Sequence, residues 1–567
     1  MNSNYKYLLL LFLVITIGAC EEMLEPDPEN IYTTERALKE PSFAQGLLDR
    51  AYVSGVLANE YTLEDVATDN AVSNNKDNAY LRMATGEWSA IYNPVNVWNT
   101  SYNAIFHLNF FLSIVDDVEW SWKSENRNQM FADRFKGEAL GLRAYHYLRL
   151  LTYHGGIGSN GDLLGVPLVT SVISVKDDWQ IPRSTYQACV EQIRSDLDEA
   201  FKLLPYKWQD ITGDQDYNNV YGTQNQNRIQ GQIVQALKAR LALHSASPAF
   251  NGGNYNMALS QEAAAISGAL LADIGGVAGL DPQGYLFYDN DNDISQPEIL
   301  WRNNYANSNN RERQSFPPSL FGNGDINPTQ DLVDAFSMTN GYPITSPASG
   351  YDPLKPYDKR DLRLKSYILY NGNKLGSAVI NTDVNSPING LNKSTTSTRT
   401  GYYMLKLLRT NVNLDPKVNS SARHFYTHIR FTELFLIYAE AANQAWGPDG
   451  DPNGYGFTAR NVIAALRKRA GIVASDPYLA SITSKEAFAG LIQNERRLEL
   501  CFEGFRFWDL RRWKLAIDQT VKGMQINGSD YSIIDVENRN YEDYMYYGPI
   551  PNSEIVKYDK LIQNAGW

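Results

Sequence analysis

A helix, a loop and a second helix are encoded in residues 431–471, which read FTELFLIYAEAANQAWGPDGDPNGYGFTARNVIAALRKRAG. The apolar residues of the first part recur at intervals of three and four, as they do on one face of an α-helix. They are Phe431, Leu434, Phe435, Tyr438 and Ala442. Gly447-Pro448 ends this helix. The same face resumes with Val462, Ala465, Leu466 and Arg469, so the stretch predicts two helices packed as a pair.

The same spacing predicts further helix pairs at roughly 96–116 with 128–153 and at 185–204 with 228–248. Repeated pairs are typical of tetratricopeptide-like scaffolds, although a strict period of about 34 residues is absent here. Between about 272 and 425 the sequence becomes rich in Gly, Pro, Asn, Asp and Ser, with short apolar runs. The predicted fold is therefore mainly α, a helix-pair scaffold with an irregular, loop-rich lobe carrying a few short strands. Long loops of this kind usually serve function.

The composition excludes several classes of function. The 567 residues are 43% hydrophobic and 20% charged, which is enough apolar sequence for a large core. The formal net charge of −13 argues against a nucleic-acid partner, because phosphate binding needs a basic surface. Six His and three Cys are too few to indicate a metal cluster or a disulfide framework. We therefore predict neither a metal nor another cofactor. Cys189 and Cys501 lie in apolar helical runs and are predicted to be buried thiols.

The N-terminus has the pattern of a bacterial export signal. Lys6 precedes the apolar run Leu8–Ile15, and Ile17-Gly18-Ala19 leads to Cys20. This arrangement resembles a lipobox, in which cleavage leaves the cysteine as the lipidated first residue. The alternative is an ordinary signal peptide with a chance cysteine at that position.

The densest charge cluster is residues 494–513, NERRLELCFEGFRFWDLRRW. Glu495, Glu499 and Glu503 fall on one helix face, and Arg506 is spaced to meet Asp509. Acids and guanidinium groups can thus satisfy one another, which predicts a structural cluster. The alternative is a catalytic cleft with shifted carboxyl pKa values, which so many neighbouring arginines oppose.

Other catalytic patterns have little support. The sequence contains no GxSxG, and His424 and His428 lack the HExxH context of a zinc pair, so we predict that they begin a polar helix. A carboxylate pair of the glycosidase type stays open, because spacing in sequence does not give the distance between two carboxyl groups.

The 494–513 cluster resembles the signature of the SusD/RagB family, surface lipoproteins that sit over TonB-dependent outer-membrane transporters. Further family motifs follow in the family's order, among them Arg143–Leu148, Ile181–Thr185, Pro328–Phe336 and Gln563–Trp567. With Cys20, the resemblance spans essentially the whole chain. It implies a tetratricopeptide-type scaffold without enzymatic activity that captures a nutrient, usually a glycan, for a SusC-like transporter. Peptide capture, as in RagB-like members, is the alternative, and a secreted glycan-active enzyme is the rival class.

The resemblance also implies a domain plan. We predict a lipoprotein signal peptide at 1–19, a lipidated Cys20 with its tether at 20–40, and a single SusD-like domain at 41–567 whose ligand-side lobe lies at about 272–425. Acylated Cys20 would anchor the protein in the outer membrane. The acidic Glu21-Glu22 resembles a surface-export signal and predicts that the protein faces the cell exterior.

Family ligand residues lie in the least regular segments, so the resemblance implies only approximate positions, 65–90 and 303–326. Glycans are held by aromatic faces and by hydrogen bonds from amide and charged side chains. The predicted contacts are Trp88, Tyr305, Asn70, Asn74, Asn75, Asn307, Arg311, Arg313 and Phe316, with Asp69 and Asp77 beside them. Trp88 and Tyr305 lead this set, and for each the alternative is a ring packed inside the protein. Trp98 and Trp301 are predicted to be core residues.

Overall fold

The computed structural model describes residues 38–56, 61, 63–289, 296–304 and 306–567. The predicted signal peptide, Cys20 and the tether up to residue 37 lie outside the described residues, as does Tyr305. Helices dominate, with short strands between them, and this confirms the predicted mainly α fold.

The α-helices of the described chain are α1 (Pro41–Val53), α2 (Ala79–Arg82), α3 (Trp98–Leu112), α4 (Glu125–His154), α5 (Tyr186–Leu203), α6 (Gln215–Tyr221), α7 (Gly231–Ala246), α8 (Met257–Ala272), α9 (Asn310–Ser315), α10 (Gln330–Ala335), α11 (Leu362–Tyr367), α12 (Phe431–Trp446), α13 (Ala459–Arg469), α14 (Pro477–Ser481), α15 (Lys485–Glu499), α16 (Arg506–Arg512) and α17 (Asn552–Ile555). The predicted pairs are confirmed, since α3 packs on α4, α5 on α7, and α12 on α13. Further contacts of α4 with α5, α7 with α8, and α8 with α12 join the pairs into one scaffold.

Local chemistry explains where these helices begin and end. The Ser124 side chain accepts a hydrogen bond from the Arg127 backbone N–H and so caps the start of α4. Gly447, at φ +80°, ends α12 in a conformation that glycine adopts without strain. Within the described residues no single helix has both the length and the apolar composition needed to cross a bilayer. A bent pair, Met257–Ala272 with Gly276–Leu286, meets both criteria with a 64° bend.

The helix pairs enclose the larger hydrophobic core. Trp98 and Trp301 both lie in it, 5% and 0% exposed, which confirms their prediction as core residues. Cys189 lies in the same core, and Cys501 lies in the core of the irregular lobe. Both are buried free thiols, as predicted.

Between the helices, the strands form two-stranded antiparallel sheets. They are β1 (Ala71–Ser73) with β6 (Ile326–Pro328), β2 (Gly156–Ile157) with β3 (Leu163–Leu164), β4 (Ile299–Arg302) with β12 (Thr427–Arg430), β5 (Ala306–Ser308) with β11 (Ala422–His424), β7 (Ile368–Leu369) with β10 (Tyr403–Met404), β8 (Lys374–Leu375) with β9 (Ala378–Val379), and β13 (Thr520–Asn527) with β14 (Asp530–Asn538). Most belong to the irregular lobe, as predicted. The β13–β14 hairpin was not predicted, although Asn527-Gly528 at its turn is typical of hairpins.

The histidine prediction is wrong. His424 lies in β11 and His428 in β12, so the two are not on a shared helix. Both are buried: His424 contacts the Tyr288 hydroxyl at 2.8 Å, and His428 Nε2 lies 2.6 Å from the Val56 carbonyl oxygen.

The 494–513 cluster is structural, as predicted, but its charges are balanced mainly by distant segments. Glu495, Glu499 and Glu503 are all buried. Their cationic partners are Arg363, Lys406, Arg430, Arg467 and Arg469. Burial alone would raise the pKa of Glu499, but the surrounding guanidinium groups outweigh it and lower this pKa to about 2. Neighbouring guanidinium groups also lower the pKa of Glu495, so Glu495 and Glu499 are both held ionised and brace the fold.

One predicted ion pair within the cluster is wrong. Arg506 binds Asp69 through two hydrogen bonds of 2.8 and 2.7 Å, and not Asp509. Side chains on a helix lean toward its N-terminus, so Arg506, the first residue of α16, leans away from Asp509. Arg512 leans back toward Asp509 and binds it at 2.8 Å, and Arg496 binds its other oxygen at 2.8 Å.

Candidate functional site

A polar groove of about 610 Å³ forms where three segments that are distant in sequence meet. Strand β1 pairs with β6 in the register Ala71 with Pro328 and Ser73 with Ile326. This antiparallel pairing places the residues after β1 beside the residues before β6. We call this the polar groove; it is lined by Asn74, Asn75, Lys76, Asp77, Asn323, Asp325, Asn392, Ser394, Thr395, Thr396, Ser397 and Arg399.

Asn74 holds the three walls of the groove together. Its Nδ2 donates to the carbonyl oxygens of Asn323 at 3.0 Å, Gly324 at 2.9 Å and Ser397 at 3.3 Å. The walls approach closely at Gly324, where a Cβ atom would lie 2.4 Å from the Thr396 carbonyl oxygen. The φ of +57° at Gly324 also favours glycine. Asn74 therefore shapes the groove.

The exposed lining groups are mostly amides and hydroxyls. Asn75, Asn323, Asn392, Ser394 and Thr395 are all exposed. Such groups both donate and accept hydrogen bonds, which suits a ligand with many hydroxyls. Lys76 and Asp77 add one exposed charge of each sign. Arg399 is held in place instead, because its Nη1 donates to the Ser73 carbonyl oxygen and to Glu537, each at 2.8 Å.

Phe321 is an exposed aromatic residue in the loop that supplies Asn323. Its side chain is 54% exposed, and its φ of +63° is an unusual conformation for a bulky residue. Hydrogen bonds fix the loop, since the Phe321 N–H donates to the Pro318 carbonyl oxygen at 3.0 Å and Asn389 contacts Ser319. The positive φ is an energetically unfavourable backbone conformation for phenylalanine, and strained residues of this kind are often found at functional sites. The exposed Phe321 ring is therefore a candidate contact surface.

The structure brings together only part of the predicted site. Asn74, Asn75 and Asp77 line the polar groove. Asn70 is fully buried and braces the fold: its Nδ2 donates to Asp65 at 2.7 Å, and its Oδ1 accepts from Arg497 at 2.8 Å.

The prediction of Trp88 as an exposed platform is contradicted. Trp88 is 3% exposed, and its Nε1 donates to Asn93 at 3.0 Å. Its ring packs edge-on against Phe507, Tyr541 and Trp567, with centroid distances of 5.5, 6.0 and 4.7 Å. The C-terminal residues cover the ring, so no face is left for a sugar.

The residues predicted from 303–326 do not line the groove. Arg311 faces a separate cavity of about 50 Å³, where its guanidinium lies over the Tyr61 ring at 4.9 Å. Phe316 is a core residue, 2% exposed. Asn307 and Arg313 are exposed but outside the groove lining. Tyr305 lies outside the described residues, so its contribution stays a prediction.

Sequence reasoning missed the wall at 392–399 and the exposed ring of Phe321. The run Ser394-Thr395-Thr396-Ser397 was the available signal, since hydroxyl-rich loops in an irregular lobe are candidate binding segments.

A larger open groove of about 1090 Å³ lies between α8, α13 and α14, but its lining includes many small apolar residues and none of the predicted contacts. Across the described ranges, no cluster of three or more His, Cys, Asp and Glu residues is placed to hold a metal ion.

Comparisons with known proteins match along nearly the whole chain. A family model described as the SusD family matches residues 297–567, and one described as starch-binding and associating with the outer membrane matches residues 30–218. SusD-like protein P38 of Formosa agariphila is 22% identical over 540 residues, covering 91% of this chain and 92% of that protein.

Solved structures have the same fold. A SusD-like protein of Bacteroides fragilis aligns with a TM-score of 0.74 at 22% identity, covering 96% of this chain and 100% of the other. A SusD-like carbohydrate-binding protein of the same species aligns with a TM-score of 0.67 at 19% identity, covering 93% and 99%. Taken with the helix-pair scaffold and the arginine-braced signature, these matches show that the chain belongs to the SusD/RagB family.

Proposed function

We propose that the polar groove binds a glycan and that the protein is a non-catalytic, lipid-anchored capture protein of the outer membrane. One observation carries this proposal: exposed amides and hydroxyls from three separate segments converge on one groove, and the loop that supplies Asn323 to it also carries the exposed Phe321 ring. The family description as starch-binding supports a carbohydrate ligand, and so does the carbohydrate-binding relative of Bacteroides fragilis.

The groove favours a neutral oligosaccharide. Its exposed amides and hydroxyls can exchange hydrogen bonds with sugar hydroxyls, while Lys76 and Asp77 offset each other in charge. Each such bond replaces one made to water, so the net gain per bond is modest. Phe321 would add contact with the apolar C–H face of a sugar ring. An open groove of this kind therefore binds with moderate affinity and tolerates a range of chain lengths.

Phe321→Ala is expected to weaken glycan binding by about 1–3 kcal/mol, by analogy with the stacking of bases on aromatic side chains. The free energy of unfolding should change little, because the Phe321 side chain is 54% exposed. Isothermal titration with the glycan that binds the wild type best measures the loss. Phe106→Ala is the matched control, because Phe106 is 58% exposed on α3 and should leave binding unchanged. Equal affinities for both variants and the wild type would place the site elsewhere.

The ligand class is tested on the purified full-length protein with a panel of neutral glycans, acidic glycans and peptides. Glycan binding that weakens on Asn75→Ala or Asn323→Ala supports the proposal, whereas binding of peptides alone would favour the peptide-capture alternative. Sustained release of reducing sugar by the purified protein would overturn the non-catalytic assignment.

We infer that the anchor is a lipid on Cys20 and that the protein faces the cell exterior. The expected result for Cys20→Ala is loss of the protein from the outer-membrane fraction, because acylation requires that thiol. Immunoblots of separated membranes measure this, with Cys189→Ala as a control for an unrelated cysteine. Unchanged fractionation of Cys20→Ala would remove the lipid-anchor proposal.

Delivery to a SusC-like transporter is the last part of the proposal. Isolation from native membranes in mild detergent should yield the protein together with an outer-membrane barrel of that family. Recovery of the protein alone, under conditions that preserve known membrane complexes, would contradict it.

A further inference from the structure

A loop between β3 and α5 presents apolar side chains to solvent. Residues 171–179 are all exposed, and the apolar ones among them are Val172, Ile173, Val175 and Trp179. Single apolar side chains are common on a protein surface, but four of them within eight residues form a patch of the kind that marks an interaction site. Val175 is fully exposed, so no described segment covers it.

The C-terminal segment extends this patch. The Tyr558 ring packs edge-on against Trp179 at a centroid distance of 5.4 Å, and the Tyr558 hydroxyl donates to the Ile181 carbonyl oxygen at 2.8 Å. Val556, two residues before Tyr558, is also largely exposed. We call this patch the apolar tip; its members are Val172, Ile173, Val175, Trp179 and Val556. None of them lines the polar groove.

The start of the loop is fixed to the helical scaffold. Arg143 Nη1 donates to the Thr170 carbonyl oxygen at 3.0 Å, and Asn109 Nδ2 donates to the Val169 carbonyl oxygen at 2.8 Å. The Tyr147 hydroxyl donates to the same Val169 carbonyl oxygen at 2.8 Å and accepts from the Val169 N–H at 2.7 Å. Arg143 and Tyr147 both belong to the family motif Arg143–Leu148.

Two further family motifs fix the other end of the loop. Arg183, in the motif Ile181–Thr185, donates to the Gly165 carbonyl oxygen at 2.7 Å. It also donates to Asn564 Oδ1 at 2.9 Å, in the motif Gln563–Trp567. Three motifs outside the polar groove thus hold the loop and the C-terminal segment together. A surface that is fixed before binding loses little conformational entropy when a partner docks.

The charges of the loop oppose burial in a lipid bilayer. Asp177 Oδ2 accepts the Ser174 backbone N–H at 2.6 Å, which closes the turn that carries Val175. This hydrogen bond lowers the pKa of Asp177, and the hydrogen bond from Lys560 lowers the pKa of Asp178. Both carboxylates are therefore ionised at neutral pH beside the apolar side chains. A bilayer would remove their water without replacing it.

A protein pocket suits the tip better than a glycan does. Val172, Ile173 and Val175 offer a sugar neither side-chain hydrogen bonds nor a flat ring. A pocket with an apolar centre and a polar rim can enclose these side chains while Asp177 and Asp178 stay in contact with water or with donor groups. The occupant that fits the tip is therefore a protein with such a pocket.

We propose that the apolar tip is the docking surface for the transporter and that Val175 enters an apolar pocket of that partner. This inference rests on the proposed delivery of the ligand to a SusC-like transporter, and it assigns the part of the chain that makes the contact. No residue of the tip lines the polar groove, so a change in the tip should weaken docking and leave glycan binding unchanged.

A photo-cross-linker placed on the tip identifies what covers it. Val175→Cys in the full-length protein is labelled on intact cells with benzophenone maleimide and irradiated. Cys189 and Cys501 are buried, and labelled wild-type cells give the background. We expect adducts with a SusC-like barrel, and none from Val379→Cys, which replaces an exposed valine of β9. Adducts with lipid alone or with a second copy of the chain, equal barrel adducts from both variants, or no adduct above background would overturn the proposal.

Val175→Asp separates the docking surface from the proposed delivery. The Val175 side chain is fully exposed, so this variant should keep the melting temperature and the glycan affinity of the wild type. Purification in mild detergent should recover at least about tenfold less barrel than with the wild type, because an unpaired carboxylate is costly to bury in an apolar pocket. Val379→Asp should recover as much barrel as the wild type does.

The two proposals fail in different ways. If the wild type and Val175→Asp recover equal amounts of barrel, the docking surface is elsewhere and the delivery proposal stands. If the wild type itself recovers no barrel, delivery and the docking surface are both wrong.

Discussion

Trp88→Ala is expected to lower the free energy of unfolding by about 3–5 kcal/mol, the usual cost of removing a large buried aromatic side chain. The ring is 3% exposed and lies in a small core with Phe507, Tyr541 and Trp567. The guanidinium carbon of Arg511 also lies 5.1 Å from the centre of the ring. Alanine would leave a cavity between the chain terminus and the signature motif. Equilibrium unfolding in urea measures the loss.

Trp122→Ala is the matched control, because the same side chain is removed from a position that is 84% exposed. This variant should stay within about 0.5 kcal/mol of the wild type. If Trp88→Ala kept its stability and instead lost glycan binding, Trp88 would be a ligand contact and not a core residue.

The second large effect is expected at Arg430. Its guanidinium donates to Glu298 at 2.7 Å, to Glu503 at 2.8 and 2.9 Å, and to the Glu499 carbonyl oxygen at 2.8 Å. Arg430→Ala would leave these carboxylates buried with fewer partners, and breaking a buried ion pair in this way costs about 3–5 kcal/mol. Urea unfolding, with circular dichroism of α-helix content, is the measurement.

Arg82→Ala removes the same charge from an exposed pair. Arg82 pairs with Glu87, and the two side chains are 41% and 48% exposed. Water and salt screen such an exposed pair, so this variant should unfold almost like the wild type. Similar stability losses for the two arginine variants would show that the network around Glu499 is not the brace that its geometry indicates.

The helix pairs were predictable from the sequence because an amphipathic helix is a local pattern. The spacing of Leu434, Phe435 and Tyr438 sets one apolar face, and Gly447 ends the helix without reference to the rest of the chain. Trp301 was predictable as a core residue for a similar reason, because it lies within a short apolar run. The acidic helix face of Glu495 and Glu499 was also predictable, because residues four apart lie on the same side of a helix.

The partners of those faces were decided only by the tertiary structure. Glu495 binds Arg363 and Arg467. Asp69 binds Arg506, which lies more than four hundred residues away in the sequence. Residue spacing within a helix does not predict partners that are this far apart. Two ions meet when separate helices and loops pack, so their pairing depends on the whole fold.

The same division applies to the candidate site. The amide-rich segment with Asn74 and Asn75 was recognisable from composition alone. The pairing of β1 with β6 then placed it beside Asn323, and packing of the C-terminal Trp567 buried Trp88. No segment covers Phe321 to the same extent, and its side chain stays 54% exposed. Residue type determines what chemistry a side chain can offer. Exposure depends on which distant segment covers that side chain, and only the folded chain decides this.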